Sequence, residues 1–166
     1  MPVRAVANAL GKAVYWDGPN YTVYLGDMNG NLEYPTVTID DMVSIGDEPR
    51  TVTDLTDNYG NTYMYAIGNS NSIIELEYLL NMKYSNFKGT LYVPKGTTND
   101  GSWYVTIIAD GKRIYKSPEM TKASAPIEID VNIKGYNDVK IEMGDYSGAY
   151  SWDTPTICIG DAGFYQ

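Results

Sequence analysis

The stretch Asp145-Tyr-Ser-Gly-Ala-Tyr-Ser-Trp-Asp153 gathers three aromatic rings between two carboxylates. Tyr146, Tyr150 and Trp152 supply flat apolar surface, Asp145 and Asp153 supply acceptors, and Gly148 lets the chain bend. That set suits a sugar, whose ring has an apolar C–H face and a rim of hydroxyls. Rings cover the face, and ordered carboxylates and amides fix the hydroxyls, because a mispaired hydroxyl is costly. Asn69, Ser70 and Asn71 form a second polar run of the same character. The expectation is that the two runs are loops converging on one site, contacted by Tyr146, Tyr150, Trp152, Asp153, Asn69 and Asn71. The alternative is that Trp152 plugs the end of a β-sandwich and the tyrosines pack the loop.

Other chemistries find less support. Glu75 and Glu77, like Glu128 and Asp130, are two residues apart and therefore roughly 7 Å apart on one face of a strand. Solvent-facing strands produce that distance as a matter of course, and no cleft is predicted around either pair, so glycoside hydrolysis by paired carboxylates is rejected. The sequence contains no histidine, which removes Ser–His–Asp and Cys–His catalysis and His-ligated zinc together. Cys158 stands alone, so neither an intrachain disulfide nor a CxxC metal motif exists. Asp145, Asp153 and Asp161 are candidate donors to a structural calcium ion, but they lack EF-hand spacing, and ordinary solvated carboxylates are the plainer account. No catalytic residue and no cofactor are expected, and the chain is read as a non-enzyme.

The elements that hold these residues must be strands. From about Thr36 onward apolar residues recur with period two. Tyr63, Tyr65 and Ile67 share a face. Ile74, Leu76, Tyr78 and Leu80 share another, with Glu75 and Glu77 opposite. Trp103, Val105, Ile107 and Ala109 alternate, which places Trp103 in the core. Ile127, Ile129, Val131 and Ile133 follow, then Val139, Ile141 and Met143, then Ile157 and Ile159. Asp110-Gly111 is a two-residue hairpin signal. One buried and one wet face per strand predicts antiparallel sheets packed as a sandwich, and no long helical stretch separates the strands. The fold class is all-β, a jelly-roll-type antiparallel β-sandwich.

Ahead of it lies a different pattern. Val3, Val6, Ala7 and Leu10 have helical spacing before Gly11, and Ala13–Trp16 with Tyr21–Leu25 reads as a hairpin in which Trp16 is structural. This helix-plus-hairpin appendage is assigned to residues 1–30 and the sandwich to 31–166. Met1–Leu10 lacks the apolar core of a secretory signal, and the opening reads as a trimmed piece of a longer chain.

Composition bounds the partners. The 166 residues carry 21 acidic against 12 basic side chains, a net charge of −9. Phosphate backbones repel such a surface, so nucleic acid is excluded as a partner. No apolar run approaches the roughly 20 residues that cross a bilayer, so no membrane insertion is expected. The 16 tyrosines against 2 phenylalanines predict many rings that keep their hydroxyls in water.

Two stretches resemble known families. Pro2-Val-Arg-Ala-Val-Ala-Asn-Ala-Leu-Gly11, then Val14-Tyr-Trp-Asp-Gly18 and Thr22-Val23, resembles the second half of the copper amine oxidase N-terminal-like stalk repeat. Such repeats occur in secreted and cell-wall proteins of Gram-positive bacteria; the resemblance implies neighbouring domains and no copper site. Tyr78-Leu-Leu-Asn-Met-Lys-Tyr-Ser-Asn-Phe-Lys-Gly-Thr-Leu91 is similar to the "Y-x-L-x-x-x-Y-x-x-F-x-G" segment of NPCBM carbohydrate-binding modules. Ile108-Ala-Asp-Gly-Lys-Arg-Ile-Tyr-Lys-Ser117 is similar to their "V-x-x-D-G-K-x-L-Y-x-S", and Met120, Pro126, Ile129, Val131 and Gly135 follow the next motif in order. The resemblance implies a jelly-roll sandwich that binds glycans without catalysis, in an extracellular or cell-surface protein. Sugar-binding members commonly carry histidines where this chain has Gly68-Asn-Ser-Asn-Ser72 and Ser151-Trp-Asp-Thr-Pro155. A structural or protein-interaction sandwich that has lost its sugar site is the rival reading.

Overall fold

The computed structural model describes residues 14–17, 22–25, 35–48, 50–52, 55–69, 73–98, 100–146 and 156–166. The chain separates into two compact units, Met1–Tyr34 and Pro35–Gln166. In the first, β1 (Val14–Asp17) and β2 (Thr22–Leu25) pair antiparallel as the expected hairpin, with Val14 opposite Leu25 and Asp17 opposite Thr22. The helix expected over Val3–Leu10 lies outside the described residues.

The second unit is built from β3 (Val37–Thr38), a 3-10 turn (Ile39–Asp41), β4 (Arg50–Thr51), β5 (Ala66–Asn69), β6 (Ile73–Leu79), β7 (Asn86–Tyr92), β8 (Trp103–Ala109), β9 (Lys112–Lys116), β10 (Ile127–Asn132), β11 (Asp138–Asp145) and β12 (Ile157–Tyr165). One sheet runs β10-β7-β12-β5-β4, with β3 also paired to β12; the other runs β6-β11-β8-β9. Every pairing is antiparallel. The alternation predicts the inner faces well. Ile74, Leu76 and Tyr78 of β6, Val139, Ile141 and Met143 of β11, and Trp103, Val105, Ile107 and Ala109 of β8 are buried against Ile129, Val131, Ile157, Ile159 and Phe164 of the other sheet. Phe164 has ring neighbours from both layers, with Tyr78, Tyr84 and Phe87 at centroid distances of 5.5, 5.6 and 5.2 Å. Each such side chain contributes about 1.5–3 kcal/mol on removal from water, which makes this double layer the source of the unit's stability.

The hairpin turn between β8 and β9 has Asp110 at φ 45° and Gly111 at φ 74°, the left-handed pair of a type I′ turn. The Asp110 carboxylate then accepts from the backbone N–H of Asp138 at 2.9 Å, fixing the start of β11. Residues 44–47 finish the free edge of β6. Ile45 N–H and Asp47 N–H donate to the carbonyls of Glu77 and Glu75, while Asp47 Oδ2 and Ser44 Oγ accept from Glu75 N–H and Glu77 N–H. Pairing at Glu75 and Glu77 covers the middle of an edge that another chain could otherwise extend.

Strand β12 breaks register between Gly160 and Gly163, and Asp161 sits there at φ 49°. Its Oδ1 accepts from Met64 N–H at 2.9 Å, and its own N–H donates to the Tyr65 carbonyl. This capture corrects the expected strand over Thr62–Ile67, which begins only at Ala66. Tyr65 and Ile67 pack on the main core, whereas Tyr63 turns away to a second, smaller one with Val52, Ala66, Tyr92 and Cys158. There the Tyr63 and Tyr92 rings stack at 4.3 Å on the outer face of the larger sheet. Among the described residues the tyrosines divide between interior and surface. Tyr63, Tyr78, Tyr92 and Tyr165 are buried, while Tyr59 and Tyr146 are exposed.

Asp57 locks the covering segment in place. It is fully buried and accepts from Tyr59 N–H, Asn61 N–H, Asn61 Nδ2 and Tyr63 Oη at 2.8–2.9 Å. Burial pushes its carboxyl up, but the hydrogen bonds from Asn61 and Tyr63 outweigh that and hold it below the ordinary 3.8. Asp57→Asn is expected to cost roughly 2–3 kcal/mol in urea denaturation at pH 7, because an amide cannot accept from all four donors. A lowered folded value means that the stabilisation is present above 3.8 and is lost as pH falls through the folded value. The gap between variant and parent should therefore narrow in acid below that point.

Candidate functional site

At one end of the sandwich β11 delivers the chain into residues 147–155, and β12 receives it again. Asn69, the last residue of β5, holds both stems. Its Nδ2 donates to the Met143 carbonyl at 2.8 Å, and its own carbonyl accepts from Thr156 N–H at 2.8 Å and Thr156 Oγ1 at 3.1 Å. The side chain is buried, 1% exposed, so Asn69 positions the connection from beneath rather than presenting itself at the surface.

Tyr146 emerges beyond the end of β11, its N–H donating to the Ser102 carbonyl at 2.9 Å, and is 49% exposed. Beside it on the outer face of the smaller sheet lies Tyr104, with ring centroids 4.6 Å apart. Tyr104 can lie flat because its cross-strand partner is Gly144. A Cβ at that position would come within 2.4 Å of Tyr104 Cζ. Lys116, brought alongside by β9, puts Nζ 4.7 Å from the Tyr104 centroid and 5.0 Å from that of Tyr146. The Tyr104 hydroxyl is pushed up, first by burial and then by its hydrogen bond to Glu142. The result is a pair of half-open rings with an ammonium donor on one side and a carboxylate acceptor on the other. Such a surface can stack on a C–H face while hydrogen-bonding a hydroxyl rim.

Of the residues picked out by sequence, the structure thus places Tyr146 on the surface and Asn69 in the interior, bonded to the Met143 carbonyl near the end of β11. Asn71, Tyr150, Trp152 and Asp153 lie outside the described residues. Asp145 closes β11 opposite Trp103, and Asp161 belongs to the β12 bulge. Among the described residues, no group of three or more acidic, histidine or cysteine side chains converges on a cation site. Trp103 is fully buried, as its alternation requires. Tyr104, Lys116 and Glu142 were missed by sequence reasoning, since they lie on three strands. The available signal was Tyr104 on the polar face of β8, out of phase with Trp103 and Val105.

Comparisons with known proteins place the family and the fold. Residues 36–157 match the model of the NPCBM/NEW2 domain. The chain belongs to that family. Among solved structures it resembles the CBM51 module of Clostridium perfringens GH95 in complex with methyl-galactose, with TM-score 0.61 and 20% identity over 77% of this chain and 98% of that one. It also resembles the Clostridium perfringens ZmpB structure containing the M60 catalytic domain with CBM51-1 and CBM51-2 (TM-score 0.66, 16% identity, 95% of this chain, 20% of that one). A second ZmpB structure, CBM51-2 with INT domains, matches at TM-score 0.63 and 15% identity, over 76% of this chain and 30% of that one. The chain therefore spans under a third of either ZmpB structure. These likenesses establish a shared sandwich fold. No curated protein matches the chain.

Gly144→Ala tests the seating of Tyr104. The added methyl should lift the ring off β11, change the near-ultraviolet circular dichroism, and cost about 1–3 kcal/mol in thermal or urea unfolding. A variant with parental spectrum and stability would show that Tyr104 does not rest on that glycine.

Proposed function

We propose that this protein is a non-catalytic carbohydrate-binding module that recognises a glycan at the end of the sandwich carrying Tyr146. The single observation that carries the assignment is the Tyr104–Tyr146 platform, flanked by Lys116 and Glu142, on an NPCBM fold. The exposed Tyr146 ring, tilted at 49° to the half-buried Tyr104, costs the unbound protein apolar exposure, and a sugar face relieves it. Tyr150, Trp152, Asp153 and Asn71 complete the contact surface from the two neighbouring loops, with Asn69 holding their stems. Binding is by equilibrium and leaves the glycan intact. Glu75 and Glu77 are both drawn toward Lys140, at 3.0 and 3.9 Å, which supports their reading as a surface ion-pair network rather than a hydrolytic pair. The methyl-galactose bound by the related GH95 module makes galactosides the first ligands to try.

The module works outside the cell, as part of a larger secreted or wall-attached protein. Its first unit is read as part of a stalk repeat joining it to neighbouring domains. The related ZmpB modules are found in structures with further domains, which supports that arrangement.

A glycan array followed by calorimetry on the best ligand tests the proposal. Tyr146→Ala and Trp152→Ala should each weaken binding about tenfold, near the ~1–2 kcal/mol expected when an aromatic contact is truncated. Silence of the unaltered protein across a broad array would refute the module reading. Unchanged affinity in both variants would move the site elsewhere on the domain.

A further inference from the structure

The outer face of the larger sheet is not flat. At its β4–β5 side it is covered by the small core around Tyr63 and Tyr92. On β12, Tyr63 lies on Gly160 and Pro35 lies on Gly163; a Cβ added at either glycine would meet these side chains at 2.5 and 2.3 Å. Between the two covered glycines the strand bulges at Asp161. The uncovered part, toward β7 and β10, forms an open groove of about 400 Å³ lined by Lys88, Thr90, Glu128, Asp130, Asp161 and Tyr165. That volume falls within the roughly 300–1,000 Å³ of ordinary ligand sites.

Lys88 and Asp130 are held before any ligand arrives. Lys88 Nζ stands 3.5 Å from Asp130 Oδ2 and 4.9 Å from the centre of the Tyr165 ring. Asn86 Nδ2 donates to Asp130 Oδ1 at 2.6 Å. Groups already ordered lose little entropy when they bind. The lining also restricts what can enter. Three carboxylates against one ammonium repel phosphates, sulfates and acidic sugars. A polar lining with a single ring offers little to a lipid or an apolar side chain. Donors on Lys88 and Thr90, acceptors on Glu128, Asp130 and Asp161, and the edge of Tyr165 together match a neutral polyhydroxylated ring.

We infer that this groove is a second glycan-binding site, for a neutral oligosaccharide, on the side of the sandwich opposite the Tyr104–Tyr146 platform. It shares no residue with the platform, so one domain would hold two glycan segments at once.

The test is made on the full chain with an array of neutral oligosaccharides, followed by calorimetry on the tightest ligand. A Tyr104→Ala, Tyr146→Ala double variant removes the platform and should keep measurable binding to at least one neutral glycan. Adding Thr90→Trp, which fills the groove from an outward strand position, should weaken that residual binding at least tenfold. Lys88→Met, which keeps the stem on Tyr165 and deletes the charge, should do the same, with unfolding midpoints showing that both variants remain folded. A double variant that binds nothing while the unaltered protein binds would overturn the groove alone. So would residual binding indifferent to both groove substitutions. Silence of the unaltered protein would remove both sites together.

Discussion

Strand β12 needs cover on both faces, and the rest of the second unit is arranged to supply it. Its inner residues Ile157, Ile159 and Phe164 are satisfied by the opposing sheet. Its outward Cys158 is buried as well, so a second layer must lie over it. The chain provides that layer with residues 55–63, pinned by the buried Asp57. A strand sealed on both sides cannot alternate cleanly along its whole length. The bulge at Asp161 interrupts that cover between Gly160, under Tyr63, and Gly163, under Pro35.

That constraint also explains which parts of the fold were legible in the sequence. Strands with one wet face announced themselves, as in β6 with Glu75 and Glu77 outside, or β10 with Glu128 and Asp130 outside. Strand β7 gave a weaker signal, because Gly89 interrupts its inner row between Phe87 and Leu91. An added Cβ there would press on Ile159 and Ala162, so the gap in the pattern reflects close approach of β12 rather than a turn. Residues 62–65 looked like a strand because tyrosines happened to alternate. Their backbone is instead taken by a carboxylate about a hundred positions away, which no local pattern can reveal. The same holds for the platform, where the tyrosine at the loop end was visible, but its partners come from β8, β9 and β11.

The two candidate surfaces use different means to the same end. At the loop end, rings are left partly open and a glycine makes room for one of them. On the larger sheet, glycines carry covering side chains and a bulge lies between them. In each case a lysine is held near a tyrosine ring and a carboxylate is close by. Neutral hydroxyl-rich ligands suit such mixed settings, since Lys88 already has Asp130 beside it and Lys116 lies over its two rings.

The pairing of β3 with β12 has a mechanical consequence. Thr36 N–H donates to the Phe164 carbonyl, and Gln166 N–H donates to Thr36 Oγ1, so the unit's two ends leave it side by side. Tension drawn through residues 35 and 166 would load these bonds one after another, like a zipper, instead of shearing them all together. Under load the short β3 would peel first, acting as a compliant release while the double layer behind it stayed shut.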